Sequence, residues 1–288
     1  MRPCQLVVMA LSTTLLLGAL AGCSEDPPPV VVTEAPADDV GYAPGSTDVV
    51  ITDDSTWVVN GGGAPLNCVT LKDGTDCVDL DQIKRDRCGD TTGQVDVVII
   101  EGKLVDVICY PPQSSGVDIT TVQTDGENAE VPQNASKTVV TFNPATDGTP
   151  IKGNVRIDAE NVSIIGNGVD KTIIDGDLHL ASNNAHVRGL TVTGNVQFEN
   201  NSNGDSIAFV KIGGNLEVNA NNISVLSCTV FGNLQVNGNG AVLVNNAVAK
   251  SFKPGGGPTC SGNLAFSDDN ANGLLDPTEK GAALTCTE

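Results

Sequence analysis

Aromatic residues are scarce in this chain of 288 residues: they make up 3% of it, with one Trp and two Tyr. A compact core built on large rings is therefore excluded, and the fold has to stack many small apolar side chains instead. Basic residues are also few, with 15 Lys and Arg against 35 Asp and Glu, which gives a net charge of −20. Such a chain repels nucleic acid and anionic lipid surfaces, and it favours cations or basic partners.

The N-terminus carries one positive charge, Arg2, and then an apolar run that ends in Leu20-Ala21-Gly22-Cys23. Residues 1–22 are therefore predicted to be an export signal, because the run is too short to span a membrane permanently. The motif around Cys23 resembles the lipobox of bacterial lipoproteins, in which this Cys becomes the new N-terminus and carries the acyl chains. The resemblance implies a membrane-anchored protein of the cell envelope, and Ser24 in the next position favours the outer membrane, with periplasmic or surface exposure left open. An ordinary signal peptide with a chance Cys is the alternative.

Two segments of different character follow the lipid site. Residues 23–47 are rich in Pro, Ala, Val and Asp without helical periodicity, so they are predicted to form a lipid-anchored flexible linker. Residues 48–112 hold short β-prone runs, and Glu101-Gly102-Lys103 between two of them predicts a tight hairpin. Residues 113–138 are polar and are predicted to be a connecting loop.

The segment 48–112 also contains four cysteines. An oxidising envelope would join them in disulfides, in one of three connectivities that the sequence leaves open, among Cys68, Cys77, Cys88 and Cys109. A zinc site is the alternative, although the spacings lack a CxxC pair. The segment is therefore predicted to be a small β module pinned by disulfides.

Residues 139–255 contain a repeat that begins with Gly followed by Asn or Asp. Its units start at Gly153, Gly176, Gly194, Gly214 and Gly232, at intervals of 23, 18, 20 and 18 residues. Recurrence at this period indicates a solenoid. In most units two apolar residues flank a polar one, as in Leu178-His179-Leu180, so each unit is predicted to form a strand with one face buried.

A second apolar register precedes the Gly of each unit, at Val192, Ile212, Val230 and Val248. These positions are predicted to stack coil upon coil in a shared core. Cys228 falls in the neighbouring column between Val210 and Asn246, so it is predicted to be a buried cysteine without a partner. Runs of Asn and Gly are predicted at the corners, where left-handed backbone angles are needed and stacked Asn side chains can bond along the axis.

The stretch 162–176, Val-Ser-Ile-Ile-Gly-Asn-Gly-Val-Asp-Lys-Thr-Ile-Ile-Asp-Gly, resembles the early coils of right-handed β-helix proteins of the pectate-lyase-like superfamily. The resemblance implies a fold, not an activity. We therefore predict a mostly β protein, with a short right-handed parallel β-helix in coils of about 18–23 residues after the small β module. A left-handed β-helix is the alternative, because coils of 18 residues suit its hexapeptide rule, although the longer coils fit it less well.

The most specific motif lies in the C-terminal segment 256–288. Residues 268–279, Asp-Asp-Asn-Ala-Asn-Gly-Leu-Leu-Asp-Pro-Thr-Glu, resemble the calcium loop of EF-hands at every required position. The resemblance implies side-chain oxygens from five residues and the backbone carbonyl of Leu274: the side chains are Asp268, Asn270, Asn272, Asp276 and Glu279. An ordinary Asp/Asn/Gly turn is the alternative. Asp276 is also predicted to cap a helix that starts at Pro277. The entry side departs from the EF-hand pattern, because residues 261–267 contain Gly and little helical pattern.

The calcium loop is flanked by Cys260 and Cys286, which are predicted to form a disulfide. We expect the loop and this disulfide to cap the last coil, because an uncapped solenoid exposes apolar surface and strand edges. The cation would then be structural.

Catalysis is the competing interpretation, because many right-handed β-helices cut acidic polysaccharides. The repeat region offers several charged residues, but no compact set on one face: Asp175, Asp177, Glu199, Asp205, Glu217, Arg188 and Lys211. These charges are predicted to form a solvated outer face. Neither histidine, His179 or His186, lies near a Ser or Cys nucleophile motif in the sequence. A non-catalytic envelope lipoprotein that binds a glycan or an envelope protein, or serves structurally, is therefore favoured over a surface polysaccharide lyase or hydrolase.

Overall fold

The structure is a computed structural model, and it describes residues 30–33, 47–52, 58–59, 68–70, 77–89, 95–100, 103–110, 117–118, 129–131, 139–141, 148–199 and 202–286. The predicted leader and the lipidation site Cys23 lie outside the described residues, and so do the side chains of Cys68 and Cys77. No helix in the described part of the chain is long and apolar enough to cross a membrane.

The N-terminal part consists of short strands and one helix. In chain order these are β1 (Val30–Thr33), β2 (Thr47–Thr52), β3 (Val58–Val59), β4 (Cys68–Thr70), β5 (Cys77–Asp79), α1 (Leu80–Cys88), β6 (Val95–Ile100) and β7 (Lys103–Cys109). One sheet has the order β1-β2-β6-β7, and a second has the order β3-β4-β5. Strands β6 and β7 pair antiparallel around the predicted hairpin, whereas β1, β2 and β6 pair in parallel.

Two features of this part differ from the sequence prediction. The segment predicted as a flexible linker contributes strand β1, because its Val30-Val31-Val32 run is a good strand former beside β2. The module also contains helix α1, where a purely β module is predicted. Its side chains support the helix by local hydrogen bonds, from Gln82 to Asp86 at 2.7 Å and from Arg85 to Gln82 at 3.0 Å. Cys88 at the helix end is joined to Cys109 of β7, with a Cα–Cα distance of 5.5 Å.

The remainder of the chain is a parallel β-solenoid, as predicted. Its strands are β8 (Val117–Asp118), β9 (Ala129–Val131), β10 (Val139–Thr141), β11 (Ile151–Lys152), β12 (Val155–Ile157), β13 (Ser163–Ile165), β14 (Ile173–Asp175), β15 (Leu178–Leu180), β16 (His186–Val192), β17 (Val196–Phe198), β18 (Ser206–Ile212), β19 (Leu216–Val218), β20 (Ser224–Leu226), β21 (Thr229–Val230), β22 (Leu234–Val236), β23 (Val242–Val244), β24 (Ala247–Val248), β25 (Phe252–Pro254), β26 (Thr259–Ser261), β27 (Leu264–Phe266) and β28 (Lys280–Ala283).

Each coil contributes to three faces in turn. Face 1 contains β8, β10, β13, the first halves of β16 and β18, β20, β23 and β26. Face 2 contains β11, β14, the second halves of β16 and β18, β21, β24, β27 and the antiparallel β28. Face 3 is a separate sheet of β9, β12, β15, β17, β19, β22 and β25. Strands β8 and β9 lie within the segment predicted to be a loop, so the solenoid begins before residue 139; these short strands carry too few apolar residues to show the repeat.

Both predicted apolar registers are confirmed. On face 3, Leu178 and Leu180 pair with Val196 and Phe198 of the next coil, and all four are fully buried. On face 2, Val192, Ile212, Val230 and Val248 follow one another in register. Stacking therefore buries a core that no single coil could bury.

A steric constraint explains why Gly opens each repeat unit. A Cβ added at Gly214 would lie 2.6 Å from the carbonyl oxygen of Gly194 in the preceding coil, too close for a real side chain. The close approach lets the backbone N–H of Gly214 donate to that carbonyl at 2.8 Å. Gly therefore occupies this corner in the repeat units, whereas Lys250 takes the equivalent position in the last coil and donates its backbone N–H to the Gly232 carbonyl at 3.2 Å.

Asn side chains hydrogen-bond along the solenoid axis, as predicted. The residue that follows the repeat Gly accepts, through its side-chain oxygen, the backbone N–H of the equivalent residue in the next coil. The acceptors are Asn154, Asp177, Asn195, Asn215 and Asn233, and Ser251 is the last donor. The corner between faces 3 and 1 uses left-handed residues, among them Asn161 and Asn222 with φ of 57° and 55°. These bonds satisfy backbone donors at corners, where strand pairing is interrupted.

The N-terminal sheet packs on face 1 of the solenoid. Buried apolar residues of β6 and β7, with Tyr110, contact residues at the ends of the face 1 strands, including Ile165, Phe209 and Leu226. We call this contact the junction. Phe209 has φ of 53°, a conformation that bulky residues rarely adopt, and its side chain is 1% exposed within the junction. Burial of this ring offsets the backbone strain.

Candidate functional site

The C-terminal loop, residues 268–279, connects the antiparallel strands β27 and β28. Phe266 pairs with Lys280 across this connection, and the backbone N–H of Ser267 donates to the Glu279 carbonyl at 3.1 Å. Gly273, at the position of the sharp turn, has φ of 70°. The chain therefore leaves the solenoid and returns to it within one closed turn.

The loop folds its predicted ligands into one hydrogen-bonded network. The two carboxylate oxygens of Asp268 accept the backbone N–H groups of Asn272 at 3.0 Å and Gly273 at 3.2 Å. Asp276 Oδ2 accepts the side-chain amides of Asn270 at 2.8 Å and Asn272 at 2.9 Å. Four of the five predicted side-chain ligands therefore belong to one network, in which the amide oxygens of Asn270 and Asn272 also accept the backbone N–H groups of Asn272 and Leu274 at 2.9 and 2.8 Å.

Glu279 completes the set from the other side of the loop. Its Oε1 accepts the backbone N–H of Asp269 at 3.0 Å, and the residue is 9% exposed. Its Oε2 is buried and has no hydrogen-bond partner. A buried carboxylate oxygen without a partner is costly, and a cation is the ligand that relieves this cost.

The donor types in this loop suit calcium. No three His, Cys, Asp or Glu side chains in the described residues converge as a metal cluster on their own. A cation in the loop would therefore need the amide oxygens of Asn270 and Asn272 and a backbone carbonyl in addition to carboxylates. Calcium accepts this mixture of hard oxygens in flexible geometry, whereas zinc prefers His and Cys.

The predicted helix cap at the loop exit is wrong in its detail. Pro277–Glu279 form one turn of 3-10 helix, and Asp276 precedes it in an extended conformation without a capping hydrogen bond from its side chain. The carboxylate of Asp276 is instead engaged by the two Asn amides inside the loop. The segment before the loop is strand β27, so the loop is entered from a strand and not from a helix.

The end of the solenoid is covered by the segment that follows the loop. Cys260 is joined to Cys286, as predicted, with a Cα–Cα distance of 5.7 Å. Leu284 and both cysteines pack against the main core. The loop itself lies beside face 2, where Leu275 packs with Ala247 and Phe266. The loop thus anchors the strand and disulfide that cover the last coil.

A second site lies at the junction, where the structure corrects the sequence prediction of a solvated charged face. Arg188 and Asp96 are both fully buried, and their ion pair measures 3.4 Å. The Tyr110 hydroxyl donates to Asp96 at 2.8 Å, and the Arg188 guanidinium lies 4.6 Å from the Phe209 ring centroid. Burial raises the pKa of Asp96, and Arg188 and Tyr110 oppose that rise.

A cavity of about 260 Å³ opens between β7 and face 1. Its lining includes two carboxylates, an imidazole, two hydroxyls and an amide, from Asp106, Asp205, His186, Ser206, Ser224 and Asn222. Ser224 donates a hydrogen bond to Asp106, which links the solenoid to β7. We call this space the junction cavity.

Asp205 is the most perturbed acid in the junction cavity. It is 1% exposed, its Oδ1 accepts the Ala185 N–H at 2.8 Å, and its Oδ2 has no hydrogen-bond partner. Burial raises its pKa to about 7, although the hydrogen bonds of Ala185, Ser202 and Asn184 act in the opposite direction. The raised pKa of Asp205 thus follows from its burial in the wall of the cavity, where it has almost no accessible surface.

The structure brings His186 to a serine that lies 20 residues further along the sequence. Its Nδ1 lies 2.8 Å from the Ser206 hydroxyl, one coil further along. Burial lowers the pKa of His186 to about 4, against the smaller effect of Asp106, so the ring is neutral at pH 7. Strand register explains the contact, since His186, Ser206 and Ser224 occupy equivalent positions of successive coils.

The other charged residues that the sequence offers for catalysis are dispersed. Arg156 on face 3 binds Glu199 at 2.6 Å and Asp158 at 3.0 Å. Lys152 pairs with Asp175 at 3.0 Å on face 2. These pairs lie on different faces, so they do not form one catalytic set. Cys228 is buried and unpaired, as predicted.

The chain matches no known protein-family model, and comparisons with curated proteins and with solved structures found no match.

Proposed function

We propose that this protein is a non-catalytic lipoprotein of the cell envelope that presents a calcium-stabilised β-solenoid. The observation that carries the proposal is the buried, unpartnered Oε2 of Glu279, which lies in a loop whose other predicted side-chain ligands are joined in one hydrogen-bond network. Calcium bound there would be coordinated by Asp268, Asn270, Asn272, the Leu274 carbonyl, Asp276 and Glu279. It would fix the connection between β27 and β28, and with it the cover of the last coil.

The proposed location in the cell envelope rests on the predicted leader and not on the fold. A lipid on Cys23 would tether the protein to the outer membrane, and we assign the solenoid to the right-handed, pectate-lyase-like class on the resemblance of its early coils. Replacement of Cys23 by Ser should abolish incorporation of labelled palmitate and release the protein from the membrane fraction. Retention of label in that variant would refute the anchor.

A scaffold role is favoured over a polysaccharide lyase or hydrolase because the charged side chains of the solenoid are engaged with one another. Arg156 and Lys152, two of its outward bases, are held by acidic neighbours on different faces. A lyase needs a base beside its cation site, and Lys211 is the candidate, because it lines a small pocket with Gly273 and Leu274 of the loop. Its ammonium lies 5.7 Å from the Phe231 ring centroid, and the pocket, of about 20 Å³, is too small for a sugar ring. The partner that we expect is a glycan or an envelope protein, because the net charge of −20 disfavours nucleic acid.

Calcium binding is tested directly by isothermal titration calorimetry of the purified full-length protein after removal of calcium with chelator. We expect one site, with a dissociation constant of about 0.1–1 mM, the range of extracellular modules. Glu279→Gln should abolish the heat of binding, since Gln retains one acceptor for Asp269 but lacks the second charged oxygen. Glu217→Gln, the same change on face 3, should bind as the wild type does. Equal binding by both variants would refute the site.

A further inference from the structure

The C-terminal loop lies against several coils of the solenoid, and not only beside the last one. Its tip, residues 273–275, shares a pocket of about 20 Å³ with Val169, Asp170, Lys211 and Thr229. Lys211 belongs to β18 and Thr229 to β21, whereas Val169 precedes β14. A Cβ added at Gly273 would lie 3.8 Å from Nζ of Lys211, so this ammonium adjoins the turn of the loop. The tip therefore packs on residues of different coils along face 2.

One apolar side chain anchors the tip on this face. Leu275 is 7% exposed and packs with Phe266 and Ala247 in a cluster that is separate from the main core. The Phe231 ring extends this cluster and meets the Phe266 ring edge-on, with the centroids 5.1 Å apart. Leu274, the neighbour of Leu275, is 44% exposed. Docking of the tip thus depends on the burial of a single leucine, which stabilises the contact only modestly.

The charges of the loop oppose this docking. Residues 268–279 contain four carboxylates, those of Asp268, Asp269, Asp276 and Glu279, and no Lys or Arg. Like charges this close together repel one another, and the buried, unpartnered Oε2 of Glu279 adds a desolvation cost. A divalent cation bound by these oxygens would offset both costs. Calcium would therefore favour the docked loop, and docking would in turn hold the ligands close together, because coupling between two such events is reciprocal.

We infer that the C-terminal loop is a calcium-controlled strap, in which calcium binding and the docking of Leu275 on face 2 strengthen each other. The inference rests on the proposed function, because it requires the calcium site. It adds that Leu275 and Phe231, whose side chains contribute no ligand, are positioning residues for calcium. Loss of calcium loosens the tip from several coils, and not only the cover of the last coil.

Calorimetric titration of calcium into the full-length protein tests this coupling from the side of the anchor. Leu275→Ala should raise the dissociation constant about five- to tenfold, because the apparent affinity falls with the fraction of molecules whose loop is docked. Leu275→Met keeps an apolar side chain of similar volume and should bind within about twofold of the wild type. Phe231→Ala, outside the loop, should weaken binding in the same direction as Leu275→Ala.

Leu274→Ala is the matched control, because it shortens the exposed neighbour and keeps the backbone carbonyl that is the predicted ligand. It should bind calcium as the wild type does. If Leu275→Ala binds as tightly as Leu274→Ala, the strap is overturned and the calcium site is not.

Acetylation of lysine side chains tests the coupling from the side of calcium and needs no variant. Lys211 adjoins the tip, whereas Lys253 is exposed on face 3. Saturating calcium should slow the acetylation of Lys211 by about threefold or more relative to chelator, because it shifts the loop towards the docked state. The acetylation of Lys253 should not change, and mass spectrometry of the digested protein measures both. Equal labelling of Lys211 in a protein that binds calcium overturns the strap alone, whereas absence of calcium binding overturns the proposed function and the strap together.

Discussion

Replacement of Asp96 by Asn tests how the N-terminal sheet is held on the solenoid. Asp96 and Arg188 are fully buried, and Nε of Arg188 lies 3.4 Å from both carboxylate oxygens. Asn keeps an acceptor for the Tyr110 hydroxyl, so the change removes mainly the charge. A buried guanidinium then loses its counter-ion, which costs about 3–5 kcal/mol in comparable cases. We expect a loss of that size in the free energy of unfolding.

Urea unfolding of the full-length protein measures this loss against a matched exposed pair. Lys152 and Asp175 lie at 3.0 Å, with side chains 73% and 42% exposed, so Asp175→Asn should cost only about 0–1 kcal/mol. Arg188→Met should be costly alone, but the double variant with Asp96→Asn should lose less than the two single changes summed. If Asp96→Asn costs no more than Asp175→Asn, or if the effects of Asp96→Asn and Arg188→Met are additive, the buried ion pair does not hold the junction together.

Three further predictions concern groups inside the solenoid. The pKa of Asp205 is raised from 3.8 to about 7, so the folded protein binds the proton of Asp205 more tightly than the unfolded chain does. The free energy of unfolding should therefore fall by about 4 kcal/mol as the pH rises from about 4 to about 7. Thermal unfolding against pH should show this fall in the wild type and not in Asp205→Asn. Burial raises the pKa of the Cys228 thiol to about 12, so a thiol reagent should label Cys228 only after unfolding, as mass spectrometry would show. Gly214→Ala should lower the free energy of unfolding by about 1–3 kcal/mol, because its Cβ would meet the Gly194 carbonyl; urea unfolding equal to the wild type would contradict this packing.

The sequence predicts the solenoid well because one local pattern is repeated. Each coil has the same residue types at equivalent positions. Alignment of the repeat units therefore predicts that Leu216 stacks on Val196 and Asn215 on Asn195. The same alignment, extended to face 1, would have placed His186 beside Ser206. The first coils are harder to predict, because strands β8 and β9 are short and lack the Gly-Asn start.

The junction could not be predicted from the repeat. Asp96 and Arg188 are 92 residues apart, and Asp106 and Ser224 are 118 apart, so their contacts depend on how two unlike units dock. Arg188 has the sequence pattern of an outer-face residue, and it is buried because Asp96 of β6, Tyr110 and Phe209 surround it. The C-terminal loop is the opposite case, since the predicted calcium ligands lie within one short segment and the chain connects them locally.

Scanning calorimetry of the full-length protein, with calcium and with chelator, tests most directly whether a cation in the C-terminal loop stabilises the solenoid. Calcium at one hundred times its dissociation constant should contribute about 2.7 kcal/mol, which raises the melting temperature by about 5–10 °C. Glu279→Gln should lose this rise, and Glu217→Gln should keep it. An equal melting temperature of the wild type with calcium and with chelator would contradict the account.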